Sequence, residues 1–163
     1  MEYQKDIKNI TRFVREQIIR RPRSEVFSFF QNHANLLLLT PPSVHLKVLS
    51  AESETLKKGA RYRYKMRMGV DMIWETLITS VEAPYQFEDV QLKGPYAYWR
   101  HVHKFEEHGD TTRVIDEVYY RLPFGELGNF LGRTWVNEKL NKLFDYRHEA
   151  LNRHNWNQSA NLQ

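Results

Sequence analysis

The residues best suited to chemistry are two histidines and two aspartates in neighbouring predicted strands. His101 and His103 are two positions apart, so in a strand both side chains point to the same face. Asp89 and Asp116 fall on the matching faces of the strands before and after them. A buried carboxylate needs a hydrogen-bonding or charged partner, because desolvation of a lone charge costs several kcal/mol. We therefore predict a buried His101–Asp116 pair.

The register behind this pair depends on the turn between the last two predicted strands. We place that turn at residues 107–110 and keep the apolar faces together. This register sets Phe105 opposite Thr112, His103 opposite Val114 and His101 opposite Asp116.

Three roles are open for the polar group. A carboxylate-oriented imidazole can act as a general base on a bound carbonyl compound, which makes His101 and Asp116 the candidate catalytic residues. Cyclisation or dehydration of such a compound also needs a proton donor, such as Tyr64 or Tyr120. The same groups can instead form a self-satisfied structural network, or anchor the polar end of a ligand.

A metal site is a separate possibility. His101 and His103, with Asp89 or Asp116, have the composition of a two-histidine, one-carboxylate site. The sequence contains no helical H-E-x-x-H motif and no cysteine. We therefore predict no metal and no cofactor.

These residues lie within a long region of period-two sequence. In residues 59–68, Tyr62, Tyr64, Met66 and Met68 alternate with basic residues, which indicates a half-buried antiparallel strand. Similar short segments recur to residue 122 at roughly ten-residue spacing, as in an antiparallel meander. The basic face consists of Arg61, Arg63, Lys65 and Arg67.

Helical patterns flank this meander. A strand over residues 10–20 is followed by a helix from Pro22 to Phe30 and a short helix from Asn32 to Leu39. A long helix runs from about Asn129 to Arg153, and its apolar stripe needs a large hydrophobic partner. The stripe comprises Leu131, Trp135, Leu140, Leu143, Phe144, Arg147 and Leu151. Because only the sheet is large enough, we predict an α+β fold of order β-α-α-β6-α, with seven antiparallel strands curved around the C-terminal helix.

Composition limits the classes of function. The 163 residues suit one domain, which we place at residues 10–153 between flexible ends at 1–9 and 154–163. The absence of cysteine excludes disulfides, thiolate zinc sites and a cysteine nucleophile. No apolar run is long enough to span a membrane, and the first residues lack a signal-peptide core, so we expect a soluble cytoplasmic protein. The net charge of +4 is spread along the chain, so we expect no nucleic-acid partner.

Several local motifs resemble one superfamily. They are residues 21–30 at the first helix, Asn35-Leu36 with Leu39-Thr40-Pro41, Phe87-x-Asp89-x-Gln91-x-x-Gly94-Pro95, His101-x-His103-x-Phe105 and Leu122-Pro123-Phe124-Gly125. With the order of elements, they resemble the helix-grip fold of START lipid-transfer domains, birch-pollen-type allergens and bacterial polyketide cyclases, the SRPBCC superfamily. The resemblance covers about residues 10–152. It implies a cavity between sheet and helix for a hydrophobic or amphipathic ligand.

The inward faces supply the candidate ligand-binding residues. They are Tyr62, Tyr64, Met66, Met68, Trp74, Ile78, Phe87, Asp89, Gln91, Trp99, His103, Phe105, Val118, Tyr120, Trp135 and Leu143. The same bulky side chains could also fill a solid core, since periodicity does not distinguish a filled interior from a hollow one.

Our first interpretation is a single-domain protein that binds a small hydrophobic or amphipathic molecule. The alternative is a cyclase- or dehydratase-like enzyme that uses the His101–Asp116 pair as general base. A third interpretation is a protein-interaction domain whose basic strand face meets an acidic partner.

Overall fold

The computed structural model of the protein describes residues 9–156, without the side chains of Met68 and of residues 125–131. The strands are β1 Thr11–Ile19, β2 Lys47–Ala51, β3 Arg61–Met68, β4 Val70–Glu82, β5 Gln86–Lys93, β6 Tyr98–His108 and β7 Thr111–Arg121. The helices are α1 Arg23–Gln31 and α2 Gly125–Arg153, with short 3₁₀ helices at His33–Leu37 and Pro42–Val44 between α1 and β2.

All seven strands form one antiparallel sheet in the order β1-β7-β6-β5-β4-β3-β2. Strands β2 to β7 are neighbours in both sequence and space, and β1 pairs with the far side of β7. Helix α2 then packs on the sheet. The predicted seven-stranded helix-grip architecture is thus confirmed.

Strand β3 shows why the alternating sequence forms a half-buried strand. Tyr62 and Tyr64 are buried, whereas the basic side chains that alternate with them along the strand are exposed. On the outer face Lys65 and Arg67 both pair with Asp71 of β4, and Arg63 pairs with Glu75. The basic face is therefore part of a mixed-charge surface on two neighbouring strands.

The predicted β6–β7 register was wrong by two residues. The hairpin turn is short, with His108 opposite Thr111 and Gly109 at a φ of +59°, a backbone conformation that glycine adopts easily. As a result His103 lies opposite Asp116, His101 opposite Val118 and Phe105 opposite Val114. Because the shift is an even number, every side chain stays on its predicted face.

Helix α2 buries a different stripe at its N-terminal half from the one predicted. Val136, Leu140 and Phe144 follow one another at four-residue spacing and are all buried. Trp135 is one position away, so it turns out of the interface and is 50% exposed. Its ring instead lies 5.5 Å from the Lys139 ammonium group. Leu131 falls outside the described side chains.

The packed part of the chain extends beyond the predicted boundary at residue 153. Trp156 is buried, and its ring centroid lies 5.1 Å from that of Phe29 on α1. Its Nε1 donates to the carbonyl oxygen of Leu151 at 3.4 Å. Trp156 therefore belongs to the core that α1 forms with the sheet. None of the helices among the described residues has the length and apolarity needed to cross a bilayer.

Candidate functional site

A cavity of about 440 Å³ lies between the sheet, α2 and the segment that carries the 3₁₀ helices. One hydrophobic cluster borders it through Phe30, Tyr62 and Ile78, and a second through Trp99 and Phe144. The volume falls in the range typical of small-molecule sites. Of the two alternatives left open by the sequence, the structure therefore has the hollow interior.

Many of the candidate residues share this cavity. Those that line it are Tyr62, Tyr64, Met66, Trp74, Ile78, Phe87, Asp89, Trp99, His101, His103 and Leu143. They come from β3, β4, β5, β6 and α2, whose inward faces the alternation and the helical stripe had indicated. Met68 lies outside the described side chains.

Four candidates on the sheet face the interior but do not line the cavity. The side-chain amide of Gln91 is bonded to the backbone of Tyr96 at 2.8 and 3.3 Å. The Tyr120 hydroxyl donates to Oδ1 of Asn137 at 2.8 Å. Phe105 packs edge-on against α1, and Val118 is fully buried under α2. The prediction placed these residues at the cavity because it used only the face of the strand to which each side chain points. That face does not show whether other side chains fill the space in front of it. Trp135 is a fifth such residue, since it is exposed.

Other lining residues were not predicted. They include Thr76, Tyr96, Lys139, Lys142, Phe144 and Arg147, with Leu36, Leu39, Val44 and Leu46 from the segment before β2. One signal was present in the sequence: Arg147 continues the apolar stripe of α2, where an arginine is unusual unless it meets a buried partner.

The partner of Arg147 is Asp116, which lies behind the cavity wall at the centre of the polar cluster. Its Oδ1 is 2.9 Å from His101 Nε2, 2.7 Å from His103 Nδ1 and 3.4 Å from Arg147 Nη1. The His101 contact is a hydrogen bond, whereas the His103 contact is a close ion pair without linear geometry. All four side chains are at least nine-tenths buried.

Asp89 lies on the cavity side of the two imidazoles. Its Oδ1 accepts a hydrogen bond from Thr76 Oγ1 at 2.9 Å. Its Oδ2 lies 3.6 Å from His103 Nε2 and 3.9 Å from His101 Nδ1. Each imidazole thus has one nitrogen near Asp116 and the other near Asp89. The ring centroids of the two histidines are 3.8 Å apart.

The environment assigns different protonation states to the two histidines. Burial lowers the pKa of His101, and the adjacent His103 lowers it further. The pKa of His103 is raised despite burial, because Asp116 and Asp89 both stabilise its cation. The histidines and Arg147 hold the pKa of Asp116 well below its usual range against the effect of burial, and His103 and His101 lower that of Asp89. These shifts favour the cation at His103 and the neutral ring at His101, an arrangement in which His103 and Arg147 balance the two carboxylates.

The hydrogen bond to Asp116 also selects the tautomer of His101. In the neutral ring, Nε2 carries the proton and donates it to Asp116, so Nδ1 carries the lone pair. His101 lines the cavity, whereas Asp116 does not. The predicted His101–Asp116 contact is thus present, although in a different register and within a larger cluster.

Comparisons with known proteins identify the architecture. No protein-family model matches the sequence, and no curated protein is significantly similar to it. Among solved structures, the protein TTHA0849 from Thermus thermophilus is similar with a TM-score of 0.61 and 20% identity, over 86% of this chain and 97% of that one. Ara h 8.0201 is similar with a TM-score of 0.62 and 12% identity, over 90% and 100%.

A norcoclaurine synthase from Thalictrum flavum, solved with a transition-state analogue, gives a TM-score of 0.67 and 10% identity, over 87% of this chain and 94% of that one. At these identities the likeness shows the fold alone. The chain has the helix-grip fold of START domains and birch-pollen-type allergens.

Proposed function

We propose that the protein binds one small hydrophobic or amphipathic molecule in the cavity between the sheet and α2. The observation that supports this most is the cavity itself, at about 440 Å³ in the interior of a protein with 163 residues. Its wall is mainly aromatic and aliphatic, which favours an apolar ligand body by surface burial. We also propose that the protein is cytoplasmic, because its sequence has no cysteine and therefore no disulfides.

The wall also carries hydrogen-bonding groups that favour a polar end on the ligand. Burial raises the pKa values of Tyr64 and Tyr96, so both remain neutral hydroxyl groups at physiological pH. A ligand with oxygen acceptors matches this arrangement, because each tyrosine hydroxyl can donate one hydrogen bond.

The charges of the lining favour an anionic end. The cavity is bordered by four basic residues, Arg67, Lys139, Lys142 and Arg147, and Asp89 is the only acidic residue of the described lining. Because Arg67 is paired with Asp71 and Arg147 with Asp116, Lys139 and Lys142 supply the excess positive charge. Asp89 is already engaged by Thr76 and the histidines. We therefore infer that a carboxylate or a similar anion is preferred over a cation in the same ligand body.

A second candidate function is proton transfer on a bound carbonyl compound, as in a cyclase or dehydratase. The specific observation in its favour is the position of His101, which Asp116 orients from behind while the ring lines the cavity; burial also lowers the pKa of this imidazole. A protein of the same fold, the norcoclaurine synthase, is an enzyme by its name. Turnover of a cavity ligand that is lost in His101→Gln, with binding retained, would establish this candidate.

Displacement of a fluorescent probe tests the binding proposal. The protein is saturated with anilinonaphthalene sulfonate, and dodecanoate or dodecylamine is added as competitor. Both competitors have the same apolar body. We expect dodecanoate to displace the probe with an affinity at least about tenfold higher, or about 1.4 kcal/mol.

Two pairs of variants locate the binding site. Leu143→Trp should abolish binding because it fills the cavity from α2, whereas Thr134→Trp adds the same side chain at an exposed position of that helix and should bind normally. Lys142→Gln should reduce the preference for the acid, while exposed Lys93→Gln, outside the cavity, should not. Equal binding by Leu143→Trp and the wild type would refute the proposal.

A further inference from the structure

We propose that Asp89, His101 and His103 form a binding site for one divalent transition-metal ion on the wall of the cavity. The three residues offer one carboxylate oxygen and two imidazole nitrogens that all lie within 4.8 Å of one another. This site goes beyond ligand binding in the cavity, because an ion can occupy it whether or not an amphipathic molecule is present.

The distances suit a metal centre after a small contraction. Asp89 Oδ2 is 3.6 Å from His103 Nε2 and 3.9 Å from His101 Nδ1. Ligand atoms that share an ion at bonds of about 2.1 Å are roughly 3.0–3.4 Å apart. The two distances from the carboxylate to the imidazoles therefore need to shorten by only a few tenths of an ångström. The two imidazole nitrogens lie within 4.8 Å of each other and must also move closer together.

The strongest support comes from the atoms that would not bind the ion. Metal-binding histidines usually donate their second nitrogen to a carboxylate, which fixes the ring. Here His101 Nε2 and His103 Nδ1 both lie close to Asp116 Oδ1, at 2.9 and 2.7 Å. The second oxygen of Asp89 is likewise held, by the Thr76 hydroxyl at 2.9 Å. His101 and Asp89 are thus held by hydrogen bonds from behind, and His103 by a close contact with the Asp116 carboxylate, while the remaining ligand atoms lie within 4.8 Å of one another.

Charge and access are also compatible with an ion. Arg147 and Asp116 offset each other's charge behind the histidines. Asp89, His101 and His103 all line the cavity, so positions not filled by protein face the ligand space. A donor set of two imidazoles and one carboxylate suits zinc, iron(II), cobalt(II) and similar ions.

Cobalt(II) and zinc(II) alone are the probes for this proposal. Untagged protein is stripped with EDTA, dialysed, and titrated with cobalt(II) while visible absorption is recorded, and with zinc(II) in a calorimeter. We expect one equivalent per chain to bind. His103→Gln and Asp89→Asn should weaken binding at least about 100-fold, and Asp116→Asn about 10- to 100-fold, because it removes the orienting carboxylate.

His108→Ala, an exposed histidine in the β6–β7 turn, is the matched control and should bind as the wild type does. Thermal unfolding of each sample confirms folding, and zinc(II) should raise the Tm of the wild type but not that of His103→Gln. No stoichiometric binding by the folded wild type, or wild-type affinity in His103→Gln and Asp89→Asn, would overturn the proposal. Dodecanoate binding measured in EDTA reports separately on the cavity, so the two proposals can fail independently.

Discussion

At the scale of single residues, Oδ1 of Asp116 organises the polar cluster. One oxygen atom contacts two imidazoles and a guanidinium group, and all of them are buried. Removal of one partner from such a cluster leaves uncompensated charge in a medium that solvates it poorly. The stability of the protein should therefore depend on the protonation of the cluster.

His103 gives the clearest pH dependence. Its folded-state pKa is raised above the ordinary value of 6.5, so its contribution to stability is fully present below pH 6.5 and is lost as the pH rises through the folded value. In EDTA at about pH 6, His103→Gln should lower the free energy of unfolding by about 3 kcal/mol. At about pH 9 the loss should be smaller, because the stability that the raised pKa of His103 contributes decreases as the pH rises above 6.5.

Urea unfolding of the wild type and His103→Gln at both pH values measures this difference. The exposed His108→Ala variant should show no such trend. A destabilisation by His103→Gln that is the same at both pH values would contradict the assignment of a cationic His103.

The sequence indicates the members of this cluster only in part. His101, His103, Asp89 and Asp116 follow from alternation along three strands. Arg147 was placed on the apolar stripe of α2, but its contact with Asp116 joins residues 31 positions apart through the packing of a helix on a sheet. Alternation within strands carries no information about that distance.

At the scale of elements, α2 and the β6–β7 hairpin show what periodicity determines. Alternation fixed the faces of β6 and β7, while the turn residues set the register, and the short turn shifted it by two. For α2, the predicted stripe contained Trp135, whereas the structure buries the next residue, Val136. Neighbouring positions differ by about 100° around the helix axis, so an error of one residue moves a side chain from the buried face towards solvent.

Two aromatic truncations on α2 test the orientation of the helix. Phe144→Ala should cost about 3 kcal/mol of unfolding free energy, because the ring packs 5.5 Å from Phe13 and beneath the Arg147 guanidinium. Trp135→Ala should cost less than about 1 kcal/mol, since that ring is half exposed. Urea unfolding followed by circular dichroism measures both. Equal costs for the two variants would show that the helix is rotated from the position described.

At the scale of the whole molecule, the fold was predictable, whereas the distribution of empty space within it was not. Element order and patterning are properties of the chain and led to the helix-grip architecture. The cavity is lined by the segment at residues 33–46, by β3 and by α2. Its volume therefore depends on how closely the side chains of these three parts fit together, which the sequence pattern does not show. Phe105, Tyr120 and Trp99 have equally suitable side chains, yet of these three only Trp99 reaches the cavity.

The central claim is that this cavity holds one ligand molecule. Native mass spectrometry of the protein after addition of excess dodecanoate, compared with Leu143→Trp treated in the same way, tests it most directly. We predict one noncovalently bound molecule per wild-type chain, released on denaturation, and none in the variant. Spectra in which the folded wild type carries no ligand, or in which Leu143→Trp carries as much as the wild type, would contradict the claim.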